Sequence, residues 1–178
     1  MDSSEYIKIM NNINSDVVYR AKKIKLLVLD VDGVMTDGGI YLSSDNKENK
    51  RFYAQDGHGL VILKSLGLKL AILSGRYSQA VEHRGNELGF DYIIQNSRDK
   101  LDAYQKTFAQ HFNETDVCFV GDDIVDIELI KKVGLGVTVP NANYKGLHET
   151  SDWVTPRRGG HGAVRDVCDL IIMAKNET

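Results

Sequence analysis

The sequence predicts an α/β protein: a Rossmann-like parallel sheet with helices on both faces and a β-hairpin inserted after the first strand. Three observations predict it. Short, nearly all-apolar runs recur along the chain, as strands buried on both faces require. Apolar residues at helical spacing fill the intervals between them. Alternation of this kind builds a parallel sheet through right-handed crossovers. No linker, repeat or low-complexity tract interrupts it, so residues 1–178 read as one domain of ordinary size.

The elements follow in chain order. Ile7, Met10, Ile13, Val17 and Ala21 recur every three or four residues and predict one amphipathic helix over 4–22. Lys25-Leu26-Leu27-Val28-Leu29-Asp30 is the first strand. Gly39–Leu42 and Lys50–Tyr53 flank the polar stretch Ser43-Ser44-Asp45-Asn46-Lys47, which predicts a hairpin over 39–53. Leu60, Leu63 and Leu66 mark a helix that stops at Gly67. Strands at Lys69–Leu73, Asp91–Ile94, Asp116–Val120 and Gly136–Val139 alternate with helices at Ser78–Leu88, Leu101–Phe112 and Ile124–Val133. A glycine-dense tail begins at Pro156 and leads into a last helix carrying Val164, Val167, Cys168 and Ile171.

Composition narrows the function. The chain carries 22 Lys and Arg against 25 Asp and Glu, a net charge of −3, so nothing points to nucleic acid or an anionic membrane. No apolar run is long enough to span a bilayer, and the first residues are polar and acidic, unlike a secretion signal. A cytoplasmic location is expected. Cys118 and Cys168 fit neither zinc nor disulfide spacing and read as buried thiols.

Ligands of open parallel sheets bind beyond the carboxyl ends of the strands. Those ends are unusually polar here. The first runs Asp30-Val31-Asp32-Gly33, the second Ser74-Gly75-Arg76, and the fourth Gly121-Asp122-Asp123 with Asp126 a turn later; Lys100 opens the helix after the third. Carboxylates gathered in this way repel one another, and each costs desolvation. A hard divalent cation relieves that conflict, and Mg²⁺ needs only two or three protein oxygens because it keeps its waters. A hydroxyl at Ser74, an approachable N–H at Gly75 and the point charge of Lys100 suit a phosphoryl anion. The sum describes Mg²⁺-dependent phosphoryl transfer. Singly, each motif has an ordinary reading: turn chemistry for Asp-x-Asp-Gly, helix caps for Ser74 and Asp123, a solvated surface for Lys100. Four such features in order at one sheet edge argue for a site.

The segment Leu29–Gly38, with Ser74, Lys100 and Gly121–Asp126, resembles the four motifs of the haloacid dehalogenase superfamily of phosphatases over about residues 24–175. Within it, Thr36-Asp37-Gly38, the hairpin, Asp56-Gly57-His58-Gly59 and Arg158-Gly159-Gly160-His161-Gly162 resemble the 3-deoxy-D-manno-octulosonate 8-phosphate phosphatase branch. The resemblance implies that Asp30 is a nucleophile forming an aspartyl-phosphate and Asp32 the acid–base group. It implies Mg²⁺ on the carboxylates of Asp30 and Asp122 and the carbonyl of Asp32, with Asp123 and Asp126 orienting metal waters. Ser74, Gly75 and Lys100 would hold the phosphoryl group, and Arg76, Arg157 and Arg158 would meet the sugar acid.

Members of this length lack a cap domain. In this branch the hairpins of a homotetramer assemble into a barrel, neighbouring subunits partly cover each site, and the tail can reach an adjacent one. Ile40, Leu42 and Phe52 would be the apolar face of that contact. His161 stands where many relatives carry Arg. The implied activity is hydrolysis of a small acidic sugar phosphate for lipopolysaccharide precursors. Three alternatives remain: a nine-carbon ulosonate 9-phosphate phosphatase, whose branch tends to carry Glu where Arg76 stands; a catalytically silent oligomerisation module; and a receiver-like domain.

Overall fold

Residues 3–45 and 47–176 are described by the computed structural model, so Asn46 of the expected hairpin turn lies outside the described residues. The chain opens with α1 (Ser3–Asn11) and α2 (Ser15–Lys23), then β1 (Leu26–Leu29). A two-stranded hairpin follows, β2 (Tyr41–Leu42) and β3 (Glu48–Asn49), then α3 (Ala54–Ser65), β4 (Lys69–Leu73), α4 (Gln79–Glu87) and β5 (Tyr92–Ile94). The second half is α5 (Lys100–Thr107), β6 (Val117–Gly121), α6 (Ile127–Lys132), β7 (Leu135–Thr138), α7 (Lys145–Thr150), β8 (Trp153–Val154) and α8 (Ala163–Asn176).

One sheet of six strands, ordered β5-β4-β1-β6-β7-β8 and parallel throughout, forms the frame. α8 packs against α2 and α3, while α6 packs against α5 and α7, which puts helices on both faces. Every residue of β1 and β6 is buried, the price of covering both faces of a parallel sheet. The register decides where the chemistry falls. Leu29 lies beside Ile72 on one side and Val120 on the other, so β1, β4 and β6 end almost level. The chain winds outward from β1 through β4 to β5, then returns to place β6 on the other side of β1. That reversal is the switch point where open α/β sheets bind ligands.

Three expectations are corrected. The single helix over 4–22 is two helices, because Asn14 caps the second: its Oδ1 accepts the Asp16 N–H at 2.8 Å. β8 and α7 carried too few periodic residues to be read from sequence. The hairpin is shorter and shifted: Tyr41 pairs with Asn49 and Leu42 with Glu48, so Lys50 to Tyr53 lie past the ladder. Phe52 therefore packs against this chain's own core rather than sharing the exposed face. Ile40 and Leu42 stay 57% and 69% exposed. Cys118 and Cys168 are buried free thiols, as expected. No helix among the described residues is long and apolar enough to cross a membrane.

Candidate active site

β1 delivers Asp30 at its carboxyl end with the carboxylate tied back to its own backbone, Oδ1 accepting the Val31 N–H at 2.7 Å. The chain then makes one wide turn, closed by the Thr36 N–H on the Val31 carbonyl at 3.0 Å. Gly33 makes that turn possible. Its φ is +88°, and a Cβ there would stand 1.9 Å from Asp122 Oδ2. Asn141 braces the same turn, donating to the Gly33 carbonyl and accepting the Gly159 N–H, both at 2.8 Å.

Lys100 is the hub. Asp99 caps α5, so Lys100 starts that helix with its ammonium directed inward, 3% exposed. It lies 2.7 Å from Asp30 Oδ2 and 2.6 Å from Asp126 Oδ1. The other oxygen of fully buried Asp126 accepts the N–H groups of Asp122 and Asp123 at 2.9 and 3.0 Å. Asp123 caps the following turn, its Oδ1 accepting the Ile124 N–H at 2.7 Å. Oxygens of Asp30, Asp122 and Asp126 all lie within 4.8 Å of one another.

Three carboxylates around one lysine leave uncompensated negative charge. Burial, reinforced by Asp30 and Asp126, pushes Asp122 up to about 8. Burial likewise raises Asp30 to about 6, against the pull of Lys100. Burial would lower Lys100, but Asp30 and Asp126 outweigh it and raise the ammonium. Both oxygens of Asp126 already have donors, whereas Asp122 Oδ1 and Oδ2 have none among the described residues. Asp122 is therefore the carboxylate most open to a cation, and with Asp30 and Asp126 close beside it the all-oxygen set fits Mg²⁺.

Ser74 leaves β4 beside them, 3% exposed, its N–H on the Ile94 carbonyl at 2.9 Å. A Cβ at Gly75 would meet only the Ser97 carbonyl, at 3.8 Å, so the backbone there is open to a ligand. Arg76 turns to the hairpin, its guanidinium 2.5 Å from Glu48 Oε2. A cleft of about 380 Å³ opens beside Asp122, lined by Gly33, Asp37, Asn141, Arg158 and His161. Wider hollows lie along α4, one of about 840 Å³, but they contain none of the clustered acids.

The tail folds onto its own chain, the Gly160 N–H reaching the Val34 carbonyl at 3.1 Å. Arg158 thus enters the cleft. Arg157 does not: within this chain its Nε lies 2.7 Å from Asp166 Oδ1, and its guanidinium stacks on Tyr6 at 4.7 Å. Two residues at the site escaped sequence reading. Asn141 follows Pro140 with no pattern around it. Lys50 sits in a polar hairpin where a solvated lysine is the ordinary reading, yet its side chain is 1% exposed and pairs with Asp32 and Glu48.

A buried aspartate at the end of the first strand, a buried lysine and a second acid strand end at a β1/β6 switch point are the frame of a haloacid dehalogenase-like hydrolase, and the model of the family so described matches residues 92–165. The chain is 40% identical to the 3-deoxy-D-manno-octulosonate 8-phosphate phosphatase of Yersinia pestis over 166 residues, covering 93% of this chain and 88% of that one. The Escherichia coli K12 enzyme of that name is 38% identical with the same coverage. The Moraxella catarrhalis phosphatase, solved with magnesium, phosphate and the sugar acid, superposes with a TM-score of 0.87 at 42% identity, over 90% of this chain and 92% of that one. The chain belongs to the 3-deoxy-D-manno-octulosonate 8-phosphate phosphatase family.

Proposed function

We propose that the protein is a Mg²⁺-dependent phosphatase that hydrolyses 3-deoxy-D-manno-octulosonate 8-phosphate in cytoplasmic synthesis of lipopolysaccharide precursors. The buried Asp30–Lys100–Asp126 bridge beside Asp122 carries this reading. Asp30 attacks phosphorus in line; the bond to the sugar oxygen breaks, and Asp32 gives that oxygen its proton. Asp32, now ionised, takes a proton from the water that attacks the aspartyl-phosphate, releasing phosphate and restoring Asp30. Lys100, the Ser74 hydroxyl and the Gly75 N–H hold the phosphoryl oxygens. The carboxylates of Asp30 and Asp122 and the carbonyl of Asp32 would hold Mg²⁺, which when bound offsets the charge on those oxygens. Asp123 and Asp126 keep that edge in place.

Arg158 in the cleft suits the sugar carboxylate, and Arg76 borders the entrance from the hairpin side. The exposed Ile40 and Leu42 support a homotetramer built through the hairpin, with each site partly covered by a neighbour. The presence of all the motif acids argues against a silent module, and an acid–base group at Asp32 argues against a stable receiver phosphate. The test is phosphate release from eight-carbon and nine-carbon ulosonate phosphates, with and without Mg²⁺. The eight-carbon substrate is expected to win, with activity lost in chelator and in Asp30→Asn. Preference for the nine-carbon substrate, or turnover by folded Asp30→Asn, overturns the reading.

A further inference from the structure

Lys50 is a buried cation that the reaction described above does not use. Its ammonium pairs with Asp32 Oδ1 and lies 2.7 Å from Glu48 Oε1. Glu48 Oε2 in turn holds Arg76 at 2.5 Å. A line of alternating charge thus runs from the turn after β1, through the hairpin, to the end of β4. Burying a lysine is costly unless it is paired, and here both partners are supplied. The side chains of Asp32 and Glu48 remain 23% and 19% exposed, so the lysine is the most enclosed member of the line.

The hairpin register puts it there. Glu48 and Asn49 complete the ladder with Leu42 and Tyr41, and Lys50 is the first residue beyond it. The short ladder therefore sets where the ammonium stands. Asp32 has one oxygen clamped; no described residue donates to the other. A carboxyl held by one oxygen presents the second in a fixed direction, which a proton donor to a leaving group requires.

We propose that Lys50 is the positioning residue for Asp32: it clamps Oδ1 so that Oδ2 faces the leaving sugar oxygen, with Glu48 and Arg76 anchoring the clamp. The proposal rests on the reading of Asp32 as the acid–base group. It predicts sensitivity to the leaving group. An alkoxide leaves poorly without a proton, whereas p-nitrophenolate leaves readily without one. A lysine that instead bound the phosphoryl group or sugar would serve both substrates alike or act on KM.

Single-turnover rapid mixing of the Mg²⁺-loaded enzyme separates these cases, because it reads formation of the aspartyl-phosphate apart from its hydrolysis. In Lys50→Met this step is expected to slow by about 10- to 100-fold with 3-deoxy-D-manno-octulosonate 8-phosphate and by less than about 3-fold with p-nitrophenyl phosphate. Lys50→Arg is expected to recover most of the loss. Glu48→Gln should show the same signature at smaller size, and it serves as the reading if circular dichroism shows Lys50→Met unfolded. Equal losses on both substrates, no loss, or a change confined to KM overturns the proposal. Asp32→Asn separates the two levels. If it shows no leaving-group dependence, the acid–base reading falls and the proposal with it. If it shows the dependence and neither Lys50→Met nor Glu48→Gln does, the proposal alone falls.

Discussion

Gly33 packs directly against Asp122, the carboxylate left most open to a cation. Its φ of +88° costs an L-residue about 1–2 kcal/mol, and any Cβ would displace Asp122. Gly33→Ala is expected to cut Mg²⁺-dependent turnover by at least about 100-fold, because shifts of about 1 Å near reacting groups have that effect. It should also lower Tm while leaving far-UV circular dichroism native. Near-normal activity would show that Asp122 can move without consequence. The sequence marked this glycine as the end of Asp-x-Asp-Gly, but its turn type and its contact with Asp122 needed β6 laid beside β1. Asp126 shows the same limit. Its carboxylate receives Lys100 and two backbone N–H groups, partners that no spacing along the chain displays.

Among the described residues, the hairpin carries an exposed run of three large apolar side chains. Phe52 turns inward, so the exposed apolar residues are Ile40, Tyr41 and Leu42. Burying each large side chain between subunits recovers about 1.5–3 kcal/mol. Ile40→Asp with Leu42→Asp is therefore expected to convert a tetrameric mass to monomer in light scattering at micromolar concentration. Sugar-phosphate hydrolysis should fall further than p-nitrophenyl phosphate hydrolysis, since a neighbour would no longer cover the site. A native protein that is already monomeric and fully active removes the shared-site picture. The hairpin's existence was legible from turn chemistry between two apolar runs. Its register was not, because a two-residue ladder has too little alternation to show which residue leaves it first.

At the scale of the whole molecule, packing against both faces of the sheet encloses Asp30 and Asp122 at about 6 and about 8, burial being the larger cause in each. Both lie above the unfolded carboxylate value of about 4. Without a cation, their contribution to stability is most favourable below pH 4 and is lost as pH rises toward 6 and then 8. A divalent cation takes the place of those protons, so its binding should release protons and tighten across that window. Saturating Mg²⁺ is expected to raise Tm by about 5 °C at pH 8 and by less than about 2 °C at pH 5.5, measured by scanning calorimetry. A shift independent of pH would place the cation elsewhere.

The parallel sheet, its buried strands, the helices between them and the acidic strand ends were all legible along the chain. Each depends on local periodicity or on the residue that stops an element, and both are written in order. Tertiary structure alone decided the rest. Leu29 level with Ile72 and Val120 brings Asp30, Ser74 and Asp122 to one edge. The tail lies on the turn after β1, with Arg158 in the cleft and Arg157 held by Asp166. Lys50, ordinary in sequence, is buried against Asp32. These outcomes turn on pairings between residues far apart in the chain, and burial or charge balance at such a pairing exists only once the sheet has set its register.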